Sequence, residues 1–131
     1  MDAGPTIEQI LAQLREDFPG TTVTFTPDGS GGGTAVVEPV ELGRRYLPNQ
    51  SWLGAQLTVG LPFADVYPFY IGGEVRRADG RPHQTPISQA NTFAGRPALQ
   101  VSRRTNNLVA TSEAAALKFT KVLHFIREVA Q

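Results

Sequence analysis

Residues 51–71 read SWLGAQLTVGLPFADVYPFYI, and Leu53, Ala55, Leu57, Val59 and Leu61 fall on alternating positions before the chain meets Pro62 and then Tyr67-Pro68. Alternation at period two marks a strand with one buried face, and the prolines end that strand in a stiff corner. Such a strand needs neighbours and a cover for its apolar side. At 131 residues, a chain buries roughly two-thirds of its unfolded surface in one core, so a single domain over residues 1–131 is expected.

The neighbours are legible on both sides. Ile7, Ile10, Leu11 and Leu14 have helical spacing, with Thr6 as the expected N-cap and Pro19-Gly20 as the stop. Thr21 to Thr26 alternates threonine with Val23 and Phe25, Thr34 to Glu38 is β-branched, and PDGSGGG between them predicts a hairpin. That glycine run lacks the Lys-Ser/Thr ending and the following helix of a phosphate cradle, so it reads as a turn. A fourth strand is expected over Phe69 to Arg76, interrupted by Gly72-Gly73. Ala78 to Arg96 has few apolar anchors beyond Ile87 and Phe93 and reads as a long loop, a feature that usually serves a function. From Thr111 or Ser112 as a cap, Ala115, Phe119, Val122, Leu123, Ile126 and Val129 form the stripe of a second helix, with Lys118, Lys121, Arg127 and Glu128 assigned to its polar side. The fold class expected is α+β, a four-stranded antiparallel meander flanked by an N-terminal and a C-terminal helix.

Charge and composition exclude several functions. Twelve basic and twelve acidic residues cancel, which removes the sequence-independent drive of nucleic-acid binders. No apolar run reaches bilayer length, and MDAGPTIEQ has no basic segment of a secretory leader, so a cytoplasmic protein away from membranes is expected. The absence of cysteine rules out disulfides, thiolate metal sites and thioester chemistry on this chain. The two histidines have no ligand-spaced acids around them and no Gly-x-Ser-x-Gly elbow exists, so no metal, no cofactor and no serine-hydrolase site is assigned. Arg76, Arg77, Arg81, Arg96, Arg103 and Arg104 share their segment with one acid, Asp79, which predicts either a receiver for an acidic partner or a solvated face.

The order helix, meander, LTVGLPFADVYPFYI corner, loop, and the helical LKFTKVLHFI of Leu117 to Ile126 resembles the ubiquitin-conjugating (E2, UBC-like) fold across Thr6 to Ala130. The chain is similar to divergent bacterial E2-like proteins lacking the catalytic cysteine. It departs from the family pattern in four ways. Pro62 to Tyr67 is two residues longer than the usual corner, the His-Pro-Asn signature is missing, the fold is truncated after the second helix, and no thiol exists.

The resemblance implies an E1-like adenylating enzyme and a ubiquitin-like protein as partners. The family's cysteine position corresponds to the segment GRPALQVSRR, Gly95 to Arg104, where Ser102 lies closest. A serine there would accept the carboxy-terminal acyl group as an oxyester and would need a base, for which His83 is the leading candidate. His124, on the second helix, has the pattern of a packed or half-exposed residue. Thr105 is the fallback nucleophile, and Asn106 or Asn107 would donate to an oxyanion. Arg103 and Arg104 would stabilise that oxyanion or hold the incoming tail as a substrate-binding pair. Two functions therefore stand side by side: an E2-like acyl carrier using a hydroxyl, and a catalytically inactive E2-variant module that binds or scaffolds the ubiquitin-like protein or its activating enzyme. A third is an unrelated α+β domain with a coincidental corner.

Overall fold

The computed structural model describes residues 4–130. Helix α1 (Pro5–Asp17) opens with Pro5, whose missing N–H is harmless in a first turn, so Gly4 takes the N-cap position, two residues ahead of the expected Thr6. Ile7, Ile10, Leu11 and Leu14 are buried as their spacing requires. Strands β1 (Thr22–Pro27) and β2 (Gly33–Glu41) form the expected hairpin. Its turn uses Gly29 and Gly31 at φ +84° and +90°, a region costly for other residues, and the Asp28 carboxylate accepts the Ser30 N–H at 2.7 Å.

Strands β4 (Gln50–Leu57) and β5 (Phe69–Gly72) continue the antiparallel sheet, while β3 (Tyr46–Leu47) and β6 (Arg76–Arg77) pair separately as a two-stranded ribbon. The alternating strand stops at Leu57. Leu53, Ala55 and Leu57 face the core as expected, but Val59 is 70% exposed because residues beyond Leu57 turn away from the sheet.

The second half of the expected long loop is strand β7 (Ile87–Phe93), which forms a hairpin with β8 (Arg96–Val101), a strand that begins where that loop was expected to end. The main sheet therefore has six strands in the order β1-β2-β4-β5-β8-β7, not four, and β1-β2-β4-β5 within it is an antiparallel meander. Ser88, Gln89 and Thr92 are exposed polar residues of this edge strand, and no period-two hydrophobic alternation marks it, which hid it from a hydrophobicity reading. Ala94 and Gly95, at φ +52° and +75°, make the tight two-residue turn between β7 and β8.

Helix α2 (Ser112–Val129) is capped by Thr111, whose hydroxyl accepts the Ala114 N–H at 3.1 Å. It packs with α1 on one face of the sheet. The core lies between this helical layer and the inward residues of the strands, and Phe119 meets Phe69 edge to face at 4.8 Å. The outer face is covered by the sheet itself. A bulge between Gln89 and Thr92 bends the β7–β8 tip across that face, where Phe93 stacks on Tyr70 (4.3 Å) and Trp52 (5.9 Å). A Cβ at Gly54 would come within 2.6 Å of the Phe93 ring, so glycine there is what lets the tip close down. Arg96 completes the clasp with a two-pronged pair to Glu38 at 3.1 Å. The described residues thus form a two-helix, curled-sheet α+β fold.

Candidate functional site

The segment leaving β8 carries Ser102, Arg103, Arg104 and Thr105 past the Tyr67-Pro68 corner and on toward α2. Ser102 is half-buried. Its N–H donates to the Pro86 carbonyl at 3.1 Å and its Oγ accepts from Gln100 Nε2 at 2.9 Å, which leaves the hydroxyl proton free to donate elsewhere. His83 is held apart from it in hydrogen-bonding terms. Its Nε2 lies 2.8 Å from the Val75 carbonyl, an acceptor, so this nitrogen carries the proton and Nδ1 is the basic one. The imidazole stacks on Tyr46 at 6.2 Å. Ser102 and His83 bond to separate partners, and no hydrogen bond joins them among the described residues.

The two arginines after Ser102 are seated on aromatic rings. The Arg103 guanidinium lies 4.2 Å above the Phe125 ring of α2, and the Arg104 guanidinium lies 4.2 Å above the Tyr67 ring of the corner. A planar cation on a ring face is held in orientation without being neutralised. Both residues are exposed and neither is ion-paired among the described residues. The corner tyrosine therefore also positions a charge. His124 is exposed on α2.

Thr105 is committed elsewhere. Its N–H (2.7 Å) and its hydroxyl (2.8 Å) both donate to the Asp65 carboxylate, which also accepts from Lys118 Nζ at 2.9 Å. Lys118 further donates to the Val66 carbonyl at 3.1 Å and is 6% exposed, so it belongs to the buried side of α2, not the polar side expected for it. The signal was its spacing: three after Ala115 and four before Val122 put Lys118 at the edge of the apolar stripe. Burial by itself pushes the Asp65 carboxyl up, but the Thr105 N–H, the Lys118 ammonium and the Thr105 hydroxyl outweigh it and hold the group below the ordinary carboxylate range. Asp65 is thus a poor proton acceptor near neutral pH and a good anchor. Asn106 and Asn107 lie beside it around a small cavity of about 70 Å³.

The arrangement offers a half-buried hydroxyl followed directly by two exposed guanidinium groups, each seated on an aromatic ring and without an ion pair among the described residues. Its chemistry is recognition of an anion, with the hydroxyl available as a hydrogen-bond donor. No helix among the described residues is long and apolar enough to cross a membrane. Comparison with protein-family models, with characterised proteins and with solved structures finds no match.

Proposed function

We propose that this chain is a divergent E2-like protein that presents the C-terminus of a ubiquitin-like protein, delivered by an E1-like adenylating enzyme, at the surface formed by Ser102, Arg103 and Arg104. The observation that carries the reading is Arg104 on the Tyr67 ring at 4.2 Å, which brings the segment after β8 against the Tyr-Pro corner. Arg103 on Phe125 sets a second cation beside it. A flexible tail ending in a carboxylate is matched by oriented guanidinium groups, and their aromatic supports reduce the side-chain freedom lost on binding. Presentation without a covalent bond is favoured over acyl transfer because Ser102 has no base bonded to it and Thr105 is spent on Asp65.

The second reading, an oxyester at Ser102, draws on the unassigned hydroxyl proton and on the free Nδ1 of His83. In that case Ser102 Oγ attacks the activated acyl carbon, the bond to the activating enzyme breaks, and the hydroxyl proton passes to a base. Incubation with the cognate E1-like enzyme, ubiquitin-like protein and ATP, followed by denaturing electrophoresis with and without hydroxylamine, separates the two. Saturable binding with no adduct is the expected outcome. An adduct that withstands thiols, yields to hydroxylamine and disappears in Ser102→Ala would establish transfer instead. Neither binding nor adduct would remove both readings.

A further inference from the structure

Asp28-Gly29 and Asp79-Gly80 are the two places where aspartate precedes glycine in this chain. A glycine there leaves its main-chain nitrogen unshielded, because no Cβ stands beside it, and that nitrogen can attack the carboxyl carbon of the aspartate before it. The two pairs start alike. Gly29 and Gly80 have φ of +84° and +78°, both are exposed, and a Cβ on either would meet nothing within 4 Å. In each pair the N–H two residues after the aspartate donates to its Oδ1, from Ser30 at 2.7 Å and from Arg81 at 3.0 Å. This bond folds each carboxyl back over the glycine.

They differ in what else is held. The Asp79 carboxylate also accepts two bonds from the Arg77 guanidinium, at 3.1 and 2.6 Å, and Arg77 is itself buried and donates to the Ala130 carbonyl at 3.3 Å. The Arg77 fork first, and then the Arg81 N–H, hold the Asp79 carboxyl below the ordinary carboxylate range and keep it ionised. Attack must expel a hydroxyl, which the ionised form lacks. The Gly80 N–H is engaged as well, donating to the Arg77 carbonyl at 3.1 Å. Neither reactant at this pair is free.

At the tip of the β1–β2 hairpin both restraints are missing. The Gly29 N–H makes no hydrogen bond among the described residues, and the other partner of Asp28 is neutral, the Gln56 side-chain amide on Oδ2 at 3.1 Å. No cation is paired with Asp28 among the described residues. Asp28, Gly29 and Ser30 are all exposed, so water reaches the turn.

We propose that Asp28 is a modification site, the position at which this chain forms an isoaspartyl linkage, and that the Arg77 clamp protects Asp79 from the same reaction. The Gly29 nitrogen bonds to Asp28 Cγ while the Cγ–OH bond breaks, and the hydroxyl leaves with the amide proton as water. Water then opens the five-membered imide. Opening at Cγ restores aspartate, whereas opening at the main-chain carbonyl carbon leaves the chain running through the former side chain, with a new carboxylate on Cα. No oxidant or cofactor enters. The turn is then longer by one methylene, and its carboxylate has left the place where Ser30 and Gln56 bind it. The enzyme class that recognises this product is an isoaspartyl methyltransferase. The site is separate from the surface at Ser102 and does not depend on it.

The test ages the full chain at neutral pH, folded and in urea, and then digests it. Isoaspartate is read as labelled methyl transferred from S-adenosylmethionine by an isoaspartyl methyltransferase, and the imide by mass as the loss of one water. In the folded chain the Asp28 peptide should gain isoaspartate about tenfold faster than the Asp79 peptide, a ratio set by the charge-assisted bonds that hold the second pair. In urea both pairs lose those bonds, and the two rates should converge. Asp28→Glu, whose cyclisation would need a six-membered ring, should remove the label from its peptide and leave Asp79 unchanged. Equal or faster reaction at Asp79 in the folded chain, no isoaspartate at Asp28, or a ratio that persists in urea would overturn the proposal.

Discussion

Lys118 shows how one side chain decides between two accounts of a helix. Counted by charge it belongs to the solvent face, yet its ammonium ties Asp65 and the Val66 carbonyl to the interior. Lys118→Met keeps the helix and the volume but removes the cation from Asp65, leaving only the Thr105 donors, so unfolding by urea should show a loss of about 1–3 kcal/mol. A change below about 0.5 kcal/mol would mean that the pair contributes no more than a surface one. The Asp65 carboxyl also sets a pH dependence. Its folded pKa is depressed, so its stabilising effect is present above the unfolded value of about 3.9 and fades as pH falls through the folded value. Melting temperature should drop between about pH 5 and pH 2, and less steeply in Asp65→Asn. Asp79, likewise depressed by its bonds from Arg77 and Arg81, keeps that variant's profile from being flat. Tyr46 is a third such residue: its hydroxyl donates to the Ile126 carbonyl, and burial pushes the phenol up. Tyr46→Phe should cost about 1–2 kcal/mol by the same urea measurement.

Among the elements, the β7–β8 hairpin covers part of the outer face of the sheet and was least visible beforehand. Phe93 closes the outer face over Trp52 and Tyr70. Truncating it in Phe93→Ala should cost about 2–3 kcal/mol and shift the Trp52 fluorescence toward that of a solvated indole. An unchanged emission would place the hairpin tip off the sheet. The hairpin β1–β2 and both helices were legible because periodicity and turn residues agree there: Val23 and Phe25 alternate, PDGSGGG turns, and the stripe from Ala115 to Ile126 keeps helical spacing. The hairpin β7–β8 was illegible for a physical reason. Its strand pairs on one side only, carries polar residues on exposed positions, and owes its bend to a bulge that no local pattern announces. The end of β4 was misplaced for a related reason, since Leu61 is buried by folding back from a turn and its apolar character mimics one more step of alternation.

At the scale of the whole molecule, net neutrality conceals a partition of charge. Arg77 and Arg96 clamp the structure through Asp79 and Glu38, while Arg103 and Arg104 stand at the corner on aromatic rings without an ion pair among the described residues. The sequence displayed the arginine-rich segment but not this division, because which guanidinium meets a carboxylate depends on strands brought together from distant positions, such as Glu38 and Arg96. His83, Ser102 and the two arginines after Ser102 were candidates by position in the sequence; the hydrogen-bond partners Val75 and Gln100 and the aromatic supports of the arginines required the fold. The most direct test of tail presentation is a nuclear magnetic resonance titration of the labelled chain with its cognate ubiquitin-like protein, intact and lacking its C-terminal tail. Amide shifts centred on Ser102, Arg103 and Arg104 that vanish with the tail-less partner are expected. Shifts that persist without the tail, or that fall elsewhere on the surface, would contradict the assignment.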